Sequence, residues 1–411
     1  MTANRKPRSL PNEQKLRLWG VGWALALAFA GAVLAAGGTL YGLVVLLDFQ
    51  KIDTTAKLDA KTLFDLVKLS FGVVAGAGAL VALVVAYRRQ RVDEAGAHRE
   101  ATRLHTERFS QAVDKLGSDS PAVRLGGVHA LAGLADDAPD NSLRQTCIDV
   151  LCAYLQLPFT PDPGTDPADQ EEHHRYLAFR KVRHTILRLI GDHYRRPKGT
   201  HRSWQGCDLD LTGVTIDGDM DFHGATFSGG TVDFRGATFS GGTVDFNYAT
   251  FSGTMFFDHA TFSGGTVSFN HAEFPSGSVT FSRATFSGGS VTFRCATFSS
   301  GTVSFNHAEF PSGSVTFSIA TFSSGTVSFN YATFSGGTVS FNYAEFSGGT
   351  VSFRYAVFSG STVTFDGAEF SGSTVTFDGA TSPIPQGLLA AVGTPPPSGI
   401  TLPSAWLLSA P

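Results

Sequence analysis

The sequence predicts a membrane-anchored α + β protein, with two transmembrane helices, a helical middle region and then a parallel β-solenoid of about fourteen twelve-residue units. Three observations predict this class. Two long apolar runs lie within the first 87 residues, apolar side chains recur at helical spacing in the middle, and one twelve-residue phrase repeats over the second half. The expected segments are 1–87, 88–206, 207–382 and a Pro-rich apolar tail, 383–411. The tail is expected to fold back as a cap on the solenoid; the alternative is a free peptide that docks on a partner.

The first two elements are the predicted membrane spans. The run from Leu18 to Leu47 has no charged residue, and a second apolar run extends from Leu69 to Tyr87; about 20 apolar residues suffice to cross a bilayer. Lys and Arg are concentrated before the first run and directly after the second. The positive-inside rule therefore predicts a plasma membrane protein, integral through two spans, with both termini cytoplasmic.

Small residues four apart occur in both runs, at Gly38 and Gly42 and at Gly72 and Gly76. This spacing lets helices approach closely, so homo-oligomerisation through the spans is one expectation. Chance occurrence in Gly- and Ala-rich segments is the alternative.

The middle region, 88–206, is predicted to be a helical linker. Helices are expected after Ser120-Pro121, after Asn141, and from about Glu171 to Tyr194, because each start carries capping residues followed by an apolar stripe. The adjacent His173 and His174 do not indicate a metal site, since neighbouring residues of a helix point to different faces.

The repeated phrase is A-x-F-S-G-G-T-V-x-F-x-x. In each unit the Val and Phe of TVDF, and the Ala and Phe of ATF, are two residues apart and share one face of a short strand. These side chains are predicted to form the solenoid core, which would be made mainly of phenylalanine, because 28 of the 35 phenylalanines lie in this region. The core residues singled out are Val232, Phe234, Ala237, Phe239, Phe305 and Phe329.

The length of one coil stays open at this point. If one unit forms one coil, Phe234 lies opposite Ala237 and the rod has about fourteen rungs. If two units form one four-sided coil, the rod is about half as long.

Four outward series of side chains are expected on the rod. Thr and Ser flank the inward Val, Thr or Glu occupies the middle of A-x-F, Asn or Asp recurs at the corners, and tyrosines recur in one slot of successive units. The candidate interaction residues are Tyr331, Tyr343, Tyr355, Glu273, Glu309 and Glu345. The alternative is structural: Thr suits exposed strands, Asn suits tight corners, and the glutamates are spaced three units apart, which would keep like charges off adjacent rungs.

The distribution of charged residues and the motifs in the sequence limit the classes of function that this chain could have. Residues 1–206 carry 27 Lys/Arg against 21 Asp/Glu, whereas residues 207–382 carry 4 against 14, so the rod is acidic. The four cysteines form no CxxC pair, and no catalytic triad, Walker A phrase or dinucleotide loop occurs. We therefore expect no catalytic residues, no cofactor and no metal.

Phrases such as Ala237-Thr238-Phe239 followed by Gly242-Thr243-Val244 resemble pentapeptide-repeat proteins. The front half, with FSQAVDKLGSDSPAVRLGGVHALAGLA and QTCIDVLCAYLQ, is similar to the membrane-anchored, actinobacterial-type members of that family. The resemblance implies a β-solenoid, usually without enzyme activity, and it supplies no catalytic residues.

The leading hypothesis is a non-enzymatic, membrane-tethered scaffold whose acidic rod binds an unidentified protein, with no direct contact to nucleic acid. Two alternatives remain. One is a DNA mimic acting on a topoisomerase, which the acidic rod would permit. The other is an ice- or ordered-water-binding solenoid, which a flat T-x-T array would permit.

Overall fold

A computed structural model describes residues 60–158, 162–164, 166, 169–381 and 383–408, together with Leu27, 29–31, 33–34, 37–38 and Tyr41. The chain forms two compact units, Met1–Glu100 and Ala101–Pro411. The solenoid and the helical residues from Ala101 onward belong to the second unit.

The prediction of two transmembrane helices is contradicted. In the part of the chain that the structure describes, no helix is both long enough and apolar enough to cross a membrane. The second apolar run, Leu69–Tyr87, is one segment of a continuous 57-residue helix, and eight of its nineteen residues are Gly or Ala, which offer little apolar surface to lipid. Most of the first run, Leu18–Leu47, lies outside the described residues, and the predicted location of the termini stays untested.

Bounds are defined for six helices, all of them after residue 59. They are α1 (Ala60–Leu116), α2 (Pro121–Asp136), α3 (Asn141–Gln156), α4 (Gln170–Tyr194), α5 (Leu388–Val392) and α6 (Ser404–Leu408). Pro121 occupies the first turn of α2, and the side chain of Asp140 caps α3 by accepting a hydrogen bond from the Leu143 N–H at 2.9 Å.

The solenoid consists of short strands of two or three residues. They are β1 (Leu209–Asp210), β2 (Thr215–Ile216), β3 (Met220–Asp221), β4 (Thr226–Phe227), β5 (Thr231–Asp233), β6 (Thr238–Phe239), β7 (Thr243–Asp245), β8 (Thr250–Phe251), β9 (Thr254–Phe256), β10 (Thr261–Phe262), β11 (Thr266–Ser268), β12 (Glu273–Phe274), β13 (Ser278–Thr280), β14 (Thr285–Phe286), β15 (Ser290–Thr292), β16 (Thr297–Phe298), β17 (Thr302–Ser304), β18 (Glu309–Phe310), β19 (Ser314–Thr316), β20 (Thr321–Phe322), β21 (Thr326–Ser328), β22 (Thr333–Phe334), β23 (Thr338–Ser340), β24 (Glu345–Phe346), β25 (Thr350–Ser352), β26 (Val357–Phe358), β27 (Thr362–Thr364), β28 (Glu369–Phe370), β29 (Thr374–Thr376) and β30 (Ile400–Thr401).

Each coil has four sides, because each strand from β1 to β25 pairs in parallel with the strand four positions later. We call the four resulting sheets face 1 (β1, β5 and so on), face 2 (β2, β6), face 3 (β3, β7) and face 4 (β4, β8). Val267 pairs with Val291, so one coil takes 24 residues, or two units. The solenoid therefore has about eight turns and not fourteen, and spans roughly 35 Å at about 4.8 Å per turn.

The Ser-Gly-Gly corners explain why two glycines recur in six of the thirteen units. Gly265 has φ +68°, which favours glycine, and a Cβ on the preceding Gly264 would lie 2.5 Å from the carbonyl oxygen of Ser240, one coil earlier. Backbones of successive coils approach so closely here that a side chain would separate them.

The core is a set of stacked side chains, and all six predicted core residues are buried, with at most 2% of their surface exposed. Phe234 stacks on Phe257 at 5.0 Å, and Phe239 stacks on Phe262 at 4.8 Å. Of the two coil lengths left open by the sequence, the structure has the longer one, so Phe234 does not lie opposite Ala237 and rings from opposite faces meet instead.

Both ends of the solenoid are covered by other parts of the second unit. At the start, Arg183 of α4 donates to the carbonyl oxygen of Thr215 at 3.0 Å, and the ring of Tyr194 packs on Phe227 at 5.4 Å. At the far end, β30 extends face 1 by pairing with β29, and Trp406 of α6 lies against Phe377 at 5.6 Å. These contacts remove unpaired strand edges and bare apolar cross-sections, which would otherwise promote association.

Candidate interaction surface

Two of the four corners of each coil carry the side chains that project furthest from the rod. These corners lie between faces 1 and 2 and between faces 3 and 4. At each, two residues separate the inward Phe from the Ala, and the second adopts the left-handed backbone conformation. Where this residue is not glycine, its φ lies between 56° and 60°.

The residues at these positions form two outward series. We call the first corner ladder the series between faces 1 and 2, namely His259, Arg283, His307, Tyr331 and Tyr355. The second corner ladder is the series between faces 3 and 4, namely Tyr248, His271, Cys295, Ile319 and Tyr343. All of these side chains are exposed except that of Cys295, which is half-buried.

Neighbouring aromatic rings within a ladder stack on each other. In the first corner ladder, His307 stacks on Tyr331 at 5.0 Å and Tyr331 stacks on Tyr355 at 5.1 Å. In the second, Tyr248 stacks on His271 at 4.7 Å. Each ladder thus offers aromatic side chains at intervals of one coil.

Glycine also fits these corners of the fold. Glycine occupies the equivalent corners at the two ends of the rod with φ between 64° and 68°, at Gly213, Gly224, Gly236, Gly367 and Gly379. The left-handed conformation costs an L-residue roughly 1–2 kcal/mol and costs glycine none. Ring stacking offsets part of this cost, by about 0.5–1.5 kcal/mol per pair, but Arg283, Cys295 and Ile319 have no ring.

The three tyrosines predicted as interaction residues lie on two different corner ladders. Tyr331 and Tyr355 share the first corner ladder, whereas Tyr343 lies on the second, at the opposite corner of the rod. Residues twelve apart are half a coil apart, so the three tyrosines hold the same slot of successive units but lie at two different corners. Tyr343 and Tyr355 end their ladders, each with its ring over the glycine of the next coil, Gly367 and Gly379 respectively.

The predicted glutamates are also separated. Glu273 and Glu345 lie on face 4, but Glu309 lies on face 2. The expectation that spacing keeps like charges off adjacent rungs fails for face 4, because Glu345 pairs directly with Glu369. The glutamates therefore form no single surface with the tyrosines.

The sequence predicts that the second Ser or Thr of the T-V-S segments points outward, but in several segments it is buried. Ser268, Ser328 and Ser352 are 6–7% exposed. Each hydroxyl donates to a corner asparagine of the preceding coil at 2.5 Å, as Ser328 does to Oδ1 of Asn306. The corner asparagines thus tie successive coils together, which is the structural alternative for that series.

Many aspartates of the rod accept hydrogen bonds from backbone N–H groups. Asp208 accepts from the Thr231 N–H, Asp219 from the Thr243 N–H and Asp258 from the Ser282 N–H, each joining one coil to the next. Asp217 is ion-paired with Arg180 at 2.7 Å and also contacts His184 at 3.0 Å. The acidic charge is therefore largely distributed over internal contacts and forms no continuous stripe.

One buried pair resembles a catalytic dyad but has the wrong protonation states. The sulfur of Cys147 lies 3.7 Å from Nε2 of His105. Burial raises the pKa of the Cys147 thiol to about 11 and lowers the pKa of His105. A neutral thiol beside a neutral imidazole is a poor nucleophile, so the pair is part of the packed helical core. Within the described residues, no group of three potential metal ligands occurs.

Sequence reasoning missed the members of the ladders that are not tyrosine. The residues His259, His271, Arg283, Cys295, His307 and Ile319 had a signal, because each directly precedes the Ala of its unit. Their chemical variety concealed the common position, and bulky residues are not expected at positive φ.

Comparison with known proteins supports the repeat assignment. Residues 205–250 and 246–295 match the family model of pentapeptide repeats (9 copies). The comparison with curated proteins found no match, and neither did the comparison with solved structures. Members of this family are generally structural or interaction proteins without enzyme activity. The match covers residues 205–295, the first part of the solenoid, and supports its similarity to the pentapeptide repeat family; the stacked four-sided coils continue the same phrase beyond it.

Proposed function

We propose that this chain is a non-enzymatic interaction scaffold whose solenoid presents its two corner ladders to a protein partner. The observation that carries the proposal is the set of ten non-glycine residues held at positive φ on exposed corners where glycine would serve the fold. Side chains that cost folding free energy and contribute little to the core are expected to act outside it.

The composition of the ladders suits protein recognition. Tyrosine and arginine are over-represented among the residues that dominate binding energy in protein interfaces. Tyr331, Tyr343 and Tyr355 keep 51%, 69% and 46% of their surface exposed, so each ring has area to bury against a partner.

The two alternatives receive less support. A DNA mimic needs a regular row of free carboxylates, whereas Asp208, Asp217 and Asp258 are engaged in internal hydrogen bonds. An ice-binding face needs flat rows of outward T-x-T, whereas the second hydroxyl residue of the segment is buried at Ser268 and Ser352 and half-buried where it is Thr316.

The experiment compares partner capture by three forms of the full chain in its native host, using chemical crosslinking followed by mass spectrometry. The ladder variant carries Tyr331→Gly, Tyr343→Gly and Tyr355→Gly. The control variant carries Thr302→Ala, Thr326→Ala and Thr350→Ala, which alter exposed positions of face 1 only. Melting temperatures establish that all three forms are folded.

We expect proteins that are captured by the unchanged chain and by the control variant but lost from the ladder variant. Capture that is the same for all three forms would contradict the role of the ladders. So would a loss of the same proteins from the control variant.

A further inference from the structure

A cavity of about 420 Å³ lies in the helical region, where α2, α3 and α4 meet. Its size is within the range of pockets that hold small organic ligands, about 300–1,000 Å³. It is separate from both corner ladders, because all of its described lining residues precede the solenoid.

The lining is rich in arginine. Arg124, Arg175 and Arg183 border the cavity, and Glu172 is the one carboxylate among its described lining residues. The nearest aspartate of the first coil, Asp217, is already bonded to Arg180 and His184. The cavity therefore has an excess of positive charge.

The three guanidinium groups stand at different depths. Arg183 is 4% exposed and donates to the carbonyl oxygens of Leu155 at 2.7 Å and Thr215 at 3.0 Å. Arg124 donates to the hydroxyl of Tyr154 at 3.1 Å. Arg175, whose side chain is 64% exposed, lies at the mouth and reaches Glu171 at 3.7 Å.

The remaining walls are aromatic and apolar. The guanidinium of Arg124 lies 4.5 Å from the centre of the Phe179 ring, and Tyr176 adds a second ring on the same helix. Flat side chains beside arginine provide a surface for a planar group, while the guanidinium supplies donors in the fork geometry that matches phosphate or carboxylate.

We propose that this cavity binds a small organic anion, with its phosphate or carboxylate group toward Arg124, Arg175 and Arg183 and a planar body against Phe179 and Tyr176. Because Arg183 also bonds to the first coil through Thr215, an occupied cavity would strengthen the junction between the helices and the solenoid. This makes the cavity a ligand site that is independent of the protein-binding ladders.

The test is isothermal titration calorimetry on the purified full chain with four probes. Phenyl phosphate carries both features, benzoate exchanges the phosphate for a carboxylate, inorganic phosphate lacks the ring, and phenol lacks the anion. We expect one site per chain for phenyl phosphate or for benzoate, and their relative affinity assigns the anionic group. Inorganic phosphate and phenol should bind at least about tenfold more weakly, because each makes only half of the contacts.

Two variants locate the site, and one serves as a control. Arg124→Gln and Arg175→Gln should each weaken the better probe by about tenfold or more, the usual value of a charge-assisted hydrogen bond. Arg175→Gln is the safer variant, since the side chain is largely exposed and its removal leaves the helix contacts intact. Arg188→Gln, on the same helix but paired with Asp192 at 3.1 Å, should change nothing.

Two results would overturn the proposal. One is the absence of measurable heat for both phenyl phosphate and benzoate at about 1 mM, since a built site for this class should bind at that concentration. The other is binding that Arg175→Gln and Arg188→Gln alter equally, because the anion would then not be held at the mouth of this cavity.

Discussion

The ring of Phe305 lies 4.8 Å from the ring of Phe329, and the two planes are 4° apart. These residues are 24 apart in the sequence, so they occupy the same position in successive coils. The ring of Phe317, only twelve residues from Phe305, meets it edge to face at 5.7 Å with the planes 89° apart. The two contacts together define a coil of two units with phenylalanines meeting at its centre.

Phe305→Ala is expected to destabilise the solenoid by about 3–5 kcal/mol, because it removes a fully buried ring and leaves a cavity between two stacked neighbours. Thr302→Ala, three residues earlier on the exposed surface of face 1, should change the free energy of unfolding by about 0.5 kcal/mol or less. Urea unfolding of the full chain measures both. Equal losses would show that the facing of the strands is wrongly assigned.

Two glycines with nearly the same φ should respond differently to alanine. Gly236 has φ +66° and a Cβ there would meet nothing within 4 Å, so Gly236→Ala should cost about 1 kcal/mol from backbone strain alone. Gly265 has φ +68°, but a Cβ would also lie 2.8 Å from the backbone carbon of Gly241. Gly265→Ala should therefore cost about 1–3 kcal/mol more.

Melting temperatures of the two glycine variants give the comparison. If Gly236→Ala proved as harmful as Gly265→Ala, the close approach of successive coils would not be what requires glycine at the Ser-Gly-Gly corner.

The sequence predicts which side chains of each unit point into the core, because residues two apart on a strand share a face. Val232, Phe234, Ala237 and Phe239 are accordingly all buried. The coil length could not be predicted in this way. Whether a corner turns the chain by a quarter or a half of a coil depends on the backbone angles at that corner. The same residue types are compatible with both turns, so the sequence does not distinguish the two coil lengths.

The corner ladders were only partly predictable for the same reason. The tyrosines at 331, 343 and 355 stand out as aromatic residues, but Arg283 and Ile319 share their backbone conformation without sharing their chemistry. The helical region was predicted to be only a linker. Its apolar stripes show that the helices are packed, but they do not show which part of the protein the helices pack against. Its contact with the first coil depends on single polar groups, such as the bond from Arg183 to Thr215.

The junction between α4 and the first coil is expected to weaken in acid. Burial alone would raise the pKa of Asp217, but hydrogen bonds from His184 and Arg180 together outweigh this effect and lower the pKa to about 2. The folded pKa is thus below the unfolded value of about 4, so this stabilisation is complete above pH 4 and is lost as the pH falls toward 2. Its size is on the order of 2 kcal/mol.

Unfolding of the unchanged chain and of Asp217→Asn, measured at pH 6 and at pH 2.5, tests this dependence. The difference in stability between the two should shrink at the lower pH. Asp119→Asn, at an exposed position, is the control and should leave the free energy of unfolding unchanged at both pH values. A constant difference at both pH values would mean that the charge of Asp217 does not contribute.

Deleting residues 384–411 should expose the last coil. Trp406, 1% exposed, and the β30 strand would both be lost, leaving Phe377 and the edge of β29 uncovered. We expect concentration-dependent oligomers by light scattering and a lower melting temperature. Leu407→Ala, at a side chain 49% exposed, is the matched control. An unchanged monomer with unchanged melting would show that these contacts do not protect the end of the rod.

The central claim is that the corner side chains are carried for a partner and not for the fold. The most direct measurement is the free energy of unfolding of a full chain in which all ten are replaced by glycine. These residues are Tyr248, His259, His271, Arg283, Cys295, His307, Ile319, Tyr331, Tyr343 and Tyr355.

Relief of the positive-φ cost should balance the lost ring stacking and the greater flexibility of glycine in the unfolded chain, so we predict a stability within about 2 kcal/mol of the unchanged chain. A loss of more than about 5 kcal/mol would contradict the account, because it would show that the ladders are a structural part of the solenoid.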